Sequence, residues 1–402
     1  MFSAALLALL LAGCASVASA VPSGGSASQP AQPAASPPAA GASPSSALAA
    51  PSPQDNQLRV SKSGWTTDFS RHTVPLSEIA SGGPGKDGIP AIDKPKMVSL
   101  KAGDAFLKPK EAVVAFEHGG EARAYPIQIM VWHEIVNDVV GGDPVTVTFC
   151  PLCNTAIAFD RRLEGRVLDF GTTGNLRNSD LVMYDRQTES WWQQAEGQAI
   201  VGQLAGRKLT FLPTEVVSWA EFKSAFPRGQ VLSRDTGFNR PYGNNPYVGY
   251  DRPDSSPFLF QGKPDGRLKP MERVLTLELN GQDKAYPFAA LASRRVVMDH
   301  VGGQPVAIFF QPGVSSALDG GTVAGGRDVG AAAAFDPRLD GRELRFQAKA
   351  GSIVDGSGST WDIFGRAIAG PAAGKQLKPV VSGTHFWFAW AAFKPATTLY
   401  AG

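Results

Sequence analysis

Cysteine is the scarcest informative residue in this chain: 402 residues carry only Cys14, Cys150 and Cys153. That count rules out a disulfide-stapled scaffold and a four-cysteine structural zinc site. Histidine is nearly as rare, at five. Long apolar runs are missing too, since the longest near the amino terminus, Ala4 to Ala12, is about half of the ~20 residues a spanning helix needs. A bundle of membrane helices is therefore excluded. Charge of one sign is also lacking: the formal net charge is +2, with no long basic run interleaved with aromatics, which argues against a nucleic-acid partner. What remains is a chain 43% hydrophobic and 18% charged, long enough to bury a sizeable core and to recognise small molecules, metal ions or proteins.

The most informative feature present is an internal match. Val136 to Phe149 (VNDVVGGDPVTVTF) agrees with Val297 to Phe310 (VMDHVGGQPVAIFF) at eight of fourteen positions, and Ala124-Tyr125-Pro126 meets Ala285-Tyr286-Pro287 in the same register. Further on, Phe159-Asp160 and Gly165-Arg166 correspond to Phe335-Asp336 and Gly341-Arg342, after a Gly/Ala-rich insertion around Ser315 to Ala331. Trp192 corresponds to Trp361 and Asp185 to Asp355. The β-branched runs and Gly-Gly turns predict strands, with short helices near Ile127 to Val136, Val216 to Phe226 and the chain end. Thr155 to Arg161 and Arg166 to Phe170 read as a hairpin turning at Glu164-Gly165. The expected fold class is α+β, β-rich, with two tandem-duplicated lobes and short helices.

The expected organisation is a signal segment over 1–14, an Ala/Pro/Ser tether over 15–57, a first lobe over 58–235, a connecting loop over 236–270 packed on the surface, and a degenerate second lobe over 271–402. Leu11-Ala12-Gly13-Cys14 resembles a bacterial lipoprotein processing box, in which Cys14 is lipidated; Ala15 after it resembles outer-membrane sorting. The expected location is the cell envelope, lipid-anchored at the outer membrane and facing the periplasm. Cleavage after Ala18-Ser19-Ala20 would instead give a secreted or periplasmic protein.

Subtracting one half from the other isolates candidates for chemistry. Trp132-His133-Glu134 face Ser293-Arg294-Arg295, Cys150 and Cys153 face Gln311 and Val314, and Asn178-Ser179-Asp180 with Met183-Tyr184 fall where the second half is shorter. Cys150-Pro151-Leu152-Cys153-Asn154 lies between two predicted strands. A thioredoxin-type motif needs a helix beginning at its cysteines, and Thr155 to Phe159 look extended. The Cys-x-x-Cys turn followed by Asn154, which tolerates positive φ, suits a metal knuckle. Three readings of the cysteines stay open: a transition-metal site (copper, zinc or iron), a redox-active or structural disulfide, and inert thiols.

For the metal reading the ligands expected are Cys150, Cys153 and His133, with Met183 as a further soft ligand, and with Glu134 and Asp180 as catalytic carboxylates. His118, His300 and His385 rank behind His133, and His133 is equally readable as a hydrogen-bonded core histidine. Whether the protein is an enzyme or a carrier is open. The functional expectation is an extracytoplasmic lipoprotein binding a transition metal, against a thiol-disulfide oxidoreductase or redox sensor, and against a non-catalytic binding or scaffolding lipoprotein.

Taken together, Lys86-Asp87-Gly88-Ile89-Pro90-Ala91-Ile92-Asp93, Trp132-His133-Glu134 with Val136-Asn137-Asp138, Phe149-Cys150-Pro151-Leu152-Cys153, and Asn178-Ser179-Asp180-Leu181-Val182-Met183-Tyr184-Asp185-Arg186 resemble domain-of-unknown-function family 3179. The likeness is strong from Ser81 to Leu232 and weak in the second half. The family often has Gly where this chain has Asn154. It implies no activity.

Overall fold

A computed structural model describes residues 57–402. The expected signal segment, Cys14 and the tether up to residue 56 lie outside the described residues. The architecture is β-rich, as expected, with five short α-helices.

The chain builds its first sheets from hairpins whose turns are set by glycine. Ala112–His118 and Glu121–Pro126 pair antiparallel through Gly119-Gly120, and Ile135–Val140 pairs with Asp143–Cys150 through Gly141-Gly142. All four glycines have positive φ, which a two-residue primed turn demands. The two tips also touch: a Cβ on Gly141 would sit 2.5 Å from the His118 carbonyl oxygen. Any side chain there would force the hairpins apart.

Between the hairpins, helix Ile127–His133 begins after Pro126 and stops at Glu134, whose φ of 60° is left-handed and whose N–H bonds the Met130 carbonyl. Asp143–Cys150 continues antiparallel into Thr155–Asp160. A third sheet runs Ile79–Ser81, Phe170–Arg177, Asp180–Asp185, Trp191–Gln193, Gln198–Val201.

The second half repeats this order. Arg273–Leu279 and Gln282–Pro287 form a hairpin, helix Phe288–Arg294 ends at left-handed Arg295, and Val296–Val301, Gln304–Gln311 and Ala331–Asp336 form a meander. Individual hydrogen bonds recur as well. Tyr125 donates to Asp138 at 2.7 Å and Tyr286 to Asp299 at 2.9 Å. Trp192 donates to Asp185 at 2.9 Å and Trp361 to Asp355 at 3.0 Å. Matched positions in the sequence thus hold the same internal struts, because a buried carboxylate must be paired with a donor wherever the fold places it.

The two halves share one core. A single apolar cluster contains Phe149, Phe159 and Trp192 together with Phe309, Phe335 and Phe386, and the described residues make one compact unit. Two expectations of local structure change. The hairpin of Thr155 to Arg161 with Arg166 to Phe170 does not form as drawn. Thr155–Asp160 pairs with Asp143–Cys150 and Thr210–Leu212, while the Glu164-Gly165 turn joins only Arg162–Leu163 to Arg166–Val167. A strand with two good neighbours satisfies its backbone in the central sheet and leaves only the tip for the small ribbon.

The segment 236–270 has no regular secondary structure, as expected of a connection, yet it is not confined to the surface. Asp251 is fully buried, binding Arg273 at 2.6 Å and Arg327 at 2.7 Å, and Asn245 bonds the Gly320 carbonyl at 2.9 Å. Its Pro, Gly and Asn content announced a loop; the buried ion cluster that ties it down is long-range and had no local signal.

In Asp251→Ala the buried Arg273 guanidinium loses its counter-ion. We expect a loss of about 3–5 kcal/mol in urea unfolding. Arg327→Lys, at a more exposed position, should cost far less; equal and small losses for both would show that the cluster does not anchor the segment.

Candidate functional site

The Asp143–Cys150 strand delivers Cys150 at its last position, and Cys150 pairs across the ladder with Thr155, the first residue of the returning strand. Pro151 to Asn154 therefore make a tight turn. Asn154 takes φ 52°, the left-handed conformation expected of the residue after the second cysteine, and its N–H bonds the Pro151 carbonyl at 3.3 Å. The turn brings the two sulfurs onto one side of the ladder.

A second turn meets them. Phe170–Arg177 and Asp180–Asp185 are joined by Asn178-Ser179, both at positive φ. Neither is glycine, so the turn is held in an unfavourable conformation for L-residues, and the Ser179 hydroxyl donates to the Phe258 carbonyl. The consequence is positional. The Ser179 carbonyl oxygen lies 3.3 Å from Cys153 Sγ and 3.8 Å from Cys150 Sγ, where both thiols donate to it. The next residue, Asp180, completes a group in which donor atoms of Cys150, Cys153 and Asp180 all lie within 4.8 Å of one another.

All three residues are 0–1% exposed. One Asp180 oxygen accepts from Gln193 Nε2 at 2.6 Å and from the Ala195 N–H at 3.0 Å. The other, Oδ1, is buried without a hydrogen-bond partner. Such an atom is costly in an apolar setting unless something positive reaches it.

The electrostatics have one direction. Burial raises Asp180 to about 6, against the lowering effect of its Ala195 and Gln193 bonds. Burial, then the nearby Asp180 charge, raises Glu134 to about 8. Burial pushes both thiols up; Asp180 adds to the rise at each of them, and Glu134 adds to it at Cys150. None of the principal influences on these four groups is a cation. Four acidic groups thus share a dry space in which no positive side chain of the described residues is a principal influence, and without a bound cation they are held toward their neutral forms.

The segment 236–270 covers this cluster. Tyr250 donates to the Leu152 carbonyl at 3.0 Å, inside the knuckle itself, and accepts from the Phe258 N–H at 3.3 Å. Burial, then the charges of Glu134 and Cys150, raises the Tyr247 phenol. From the second half, the Phe386 N–H bonds the Cys153 carbonyl at 2.8 Å and His385 Nδ1 lies 2.8 Å from the Thr155 hydroxyl.

The sequence-derived candidates divide accordingly. Cys150, Cys153 and Asp180 come together, and Glu134 is close enough to be raised by Asp180 and to raise Cys150 in turn. His133 stands apart from the donor group. Its Nδ1 is 2.7 Å from the Pro90 carbonyl, which only accepts, so Nδ1 carries the proton. Nε2 then accepts from Tyr242 at 2.5 Å. Both ring nitrogens are occupied by protein, and burial lowers the pKa, keeping the ring neutral. In this structure His133 is a hydrogen-bonded core histidine that braces the end of its helix. Met183 pairs with Thr172 and Trp192 and packs in the main core, on the opposite face of its strand from Asp180 by alternation. Of the lower-ranked histidines, His118 bonds Asp143 at 2.6 Å and His385 supports Thr155. Sequence reasoning singled out Ser179 but missed its carbonyl as the acceptor for both thiols, and it missed Tyr247 and Tyr250; the cluster of tyrosines in a Pro/Gly/Asn-rich segment was the available signal.

A sequence model of the family described as Protein of unknown function (DUF3179) matches residues 86–397. No curated protein and no solved structure matches the chain.

Two substitutions should alter the pH profile of chelator-treated protein in opposite senses. His385 is lowered by burial from 6.5 to about 3, so across that window the unfolded chain takes a proton the folded one refuses. Stability falls on acidification there by up to ~1.4 kcal/mol per pH unit, and His385→Gln should remove that fall. Glu134 is raised from 4.5 to about 8, so the folded chain keeps a proton the unfolded one has lost, and stability falls as pH rises across that window. Glu134→Gln should remove this second slope. Urea unfolding at several pH values reads both; parallel profiles for all three proteins would show that these groups are not desolvated.

Proposed function

Starting from a chain that belongs to the DUF3179 family, whose description names no activity, we propose that this protein binds one transition-metal ion through Cys150, Cys153 and Asp180. The observation that carries the reading is the fully buried Asp180 Oδ1, unpartnered beside two sulfurs in a cluster that no cation balances. A divalent ion supplies the missing charge, turns both thiols into thiolates and gives Oδ1 its partner. Glu134, at the edge of the cluster and 7% exposed, is placed to act as a further ligand or as a proton acceptor. Two thiolates with carboxylate oxygen suit zinc or iron(II). Copper(I) would be content with the two thiolates and would leave the hard Asp180 oxygen unused. In this reading the body sits outside the cytoplasm, tethered through lipidated Cys14, and the metal protects the thiols from oxidation.

A second reading, a reversible disulfide between Cys150 and Cys153, is favoured by the closeness of two free sulfurs. Raised thiol pKa values and a strand after the motif, where a helix would stabilise a thiolate, both disfavour it as a fast thiol enzyme.

Elemental analysis of protein purified anaerobically from the native host's envelope fraction separates them. About one zinc or iron per chain is expected, falling at least about tenfold in Cys150→Ser and in Asp180→Asn. Metal-free protein in which thiol titration finds both cysteines oxidised would reject the metal and leave the disulfide.

A further inference from the structure

Behind the knuckle, where the two halves meet, lies a cavity of about 350 Å³. That volume falls at the small end of the range of roughly 300–1,000 Å³ typical of small-molecule sites, and an interface between structural units is a common place for one. We propose that this cavity binds a small organic anion with an apolar, preferably aromatic, body, at a site distinct from the sulfur-carboxylate cluster.

The space exists because three adjoining elements present small residues to it: Ala156 on the strand after the knuckle, Ala195 in the turn after Trp191–Gln193, and Gly383 on strand Ser382–Phe386. At Gly383 a side chain is excluded, since a Cβ would sit 2.6 Å from His385 Nε2. Around this floor stand large apolar groups, with Phe211 and Leu212 from the first half and Trp390 from the second. Val381, 40% exposed, forms an apolar lip. Aromatic and apolar lining selects a ring or branched chain by burial.

The charges at the rim select the other end of the ligand. Lys394 is committed to Glu278 and, at 3.3 Å, to Asp283. Glu196 faces Arg177 at 3.5 Å. Lys208, fixed at the rim by a backbone bridge to Gln198, has no ion-pair partner among the described residues. Among the described residues of the wall it is the one uncommitted charge, and it is positive. A carboxylate at Lys208 with an apolar body reaching toward Trp390 satisfies both features.

This inference does not depend on a metal. It does place a ligand one residue away from the supports of the cluster: the Ala195 N–H bonds Asp180, and strand Thr155–Asp160, which carries Ala156, begins at the knuckle.

The test uses the full chain and three probes of equal shape, 4-phenylbutyrate, 4-phenylbutan-1-ol and 4-phenylbutylamine, titrated by calorimetry with metal content recorded in parallel. Saturable binding of the carboxylate at one site per chain is expected, at least about tenfold tighter than either analogue. Lys208→Gln should abolish that preference without changing the metal content, and Val381→Trp, which blocks the lip, should weaken binding of all three. Binding that does not saturate, equal affinity for all three probes, or an unchanged preference in Lys208→Gln would overturn the proposal. Lys208 is an exposed side chain, so its variant tests the idea even where Val381→Trp fails to fold.

Discussion

The confinement of four acidic groups in a space with no compensating cation is the constraint on which the rest of the site depends. Burial raises the proton affinity of Cys150, Cys153, Asp180 and Glu134 alike, and the Asp180 charge adds to the rise at the other three. A fold holding such a cluster without a ligand gives up stability for it, because each group is desolvated and one carboxylate oxygen is left unpaired. The rigid parts around it show how the cost is borne. Two tight turns, one ending in left-handed Asn154 and the other made of left-handed Asn178 and Ser179, are pinned by strand ladders on both sides.

Among the described residues the cluster occurs once, and the two halves differ where it sits. Both halves keep the tyrosine-aspartate and tryptophan-aspartate struts and the left-handed residue that ends the helix. That last residue is Glu134 in one half and Arg295 in the other. The hairpin that carries Ser179 and Asp180 to the sulfurs runs from Phe170–Arg177 to Asp180–Asp185; its counterpart stops at Phe346–Lys349 and Ser352–Asp355, turning at Ala350-Gly351. Four residues fewer on the outgoing strand, with Gln311 in place of Cys150, leave no donor set in the second half.

The second half still contributes to the first. Phe386 and His385 hold the backbone and the hydroxyl that follow Cys153, and Arg273 and Arg327 fix Asp251, from which Tyr247 and Tyr250 are hung over the knuckle. The cover is therefore anchored by one half and laid across the other. Access for a large molecule would require moving it.

Much of this was legible in the amino-acid order, and the reason is local. Glycine pairs, β-branched runs and the repeated blocks report backbone conformation directly, so the hairpins, the three main helical pieces, the left-handed Asn154 and the extended strand after the cysteines all follow from neighbouring residue types. The sequence by itself also determined that two sulfurs must share one side of a turn and that Asp180 belongs to the part of the chain peculiar to the first half. Tertiary structure alone decided the partners. His133 lies seventeen positions before Cys150, a small fraction of the chain, yet its nitrogens went to Pro90 and Tyr242, while Asp180 crossed from another sheet to meet the sulfurs. Which polar atom reaches which depends on strand register, side-chain direction and the path of a loop across the core, and those are properties of packing that adjacency along the chain does not encode.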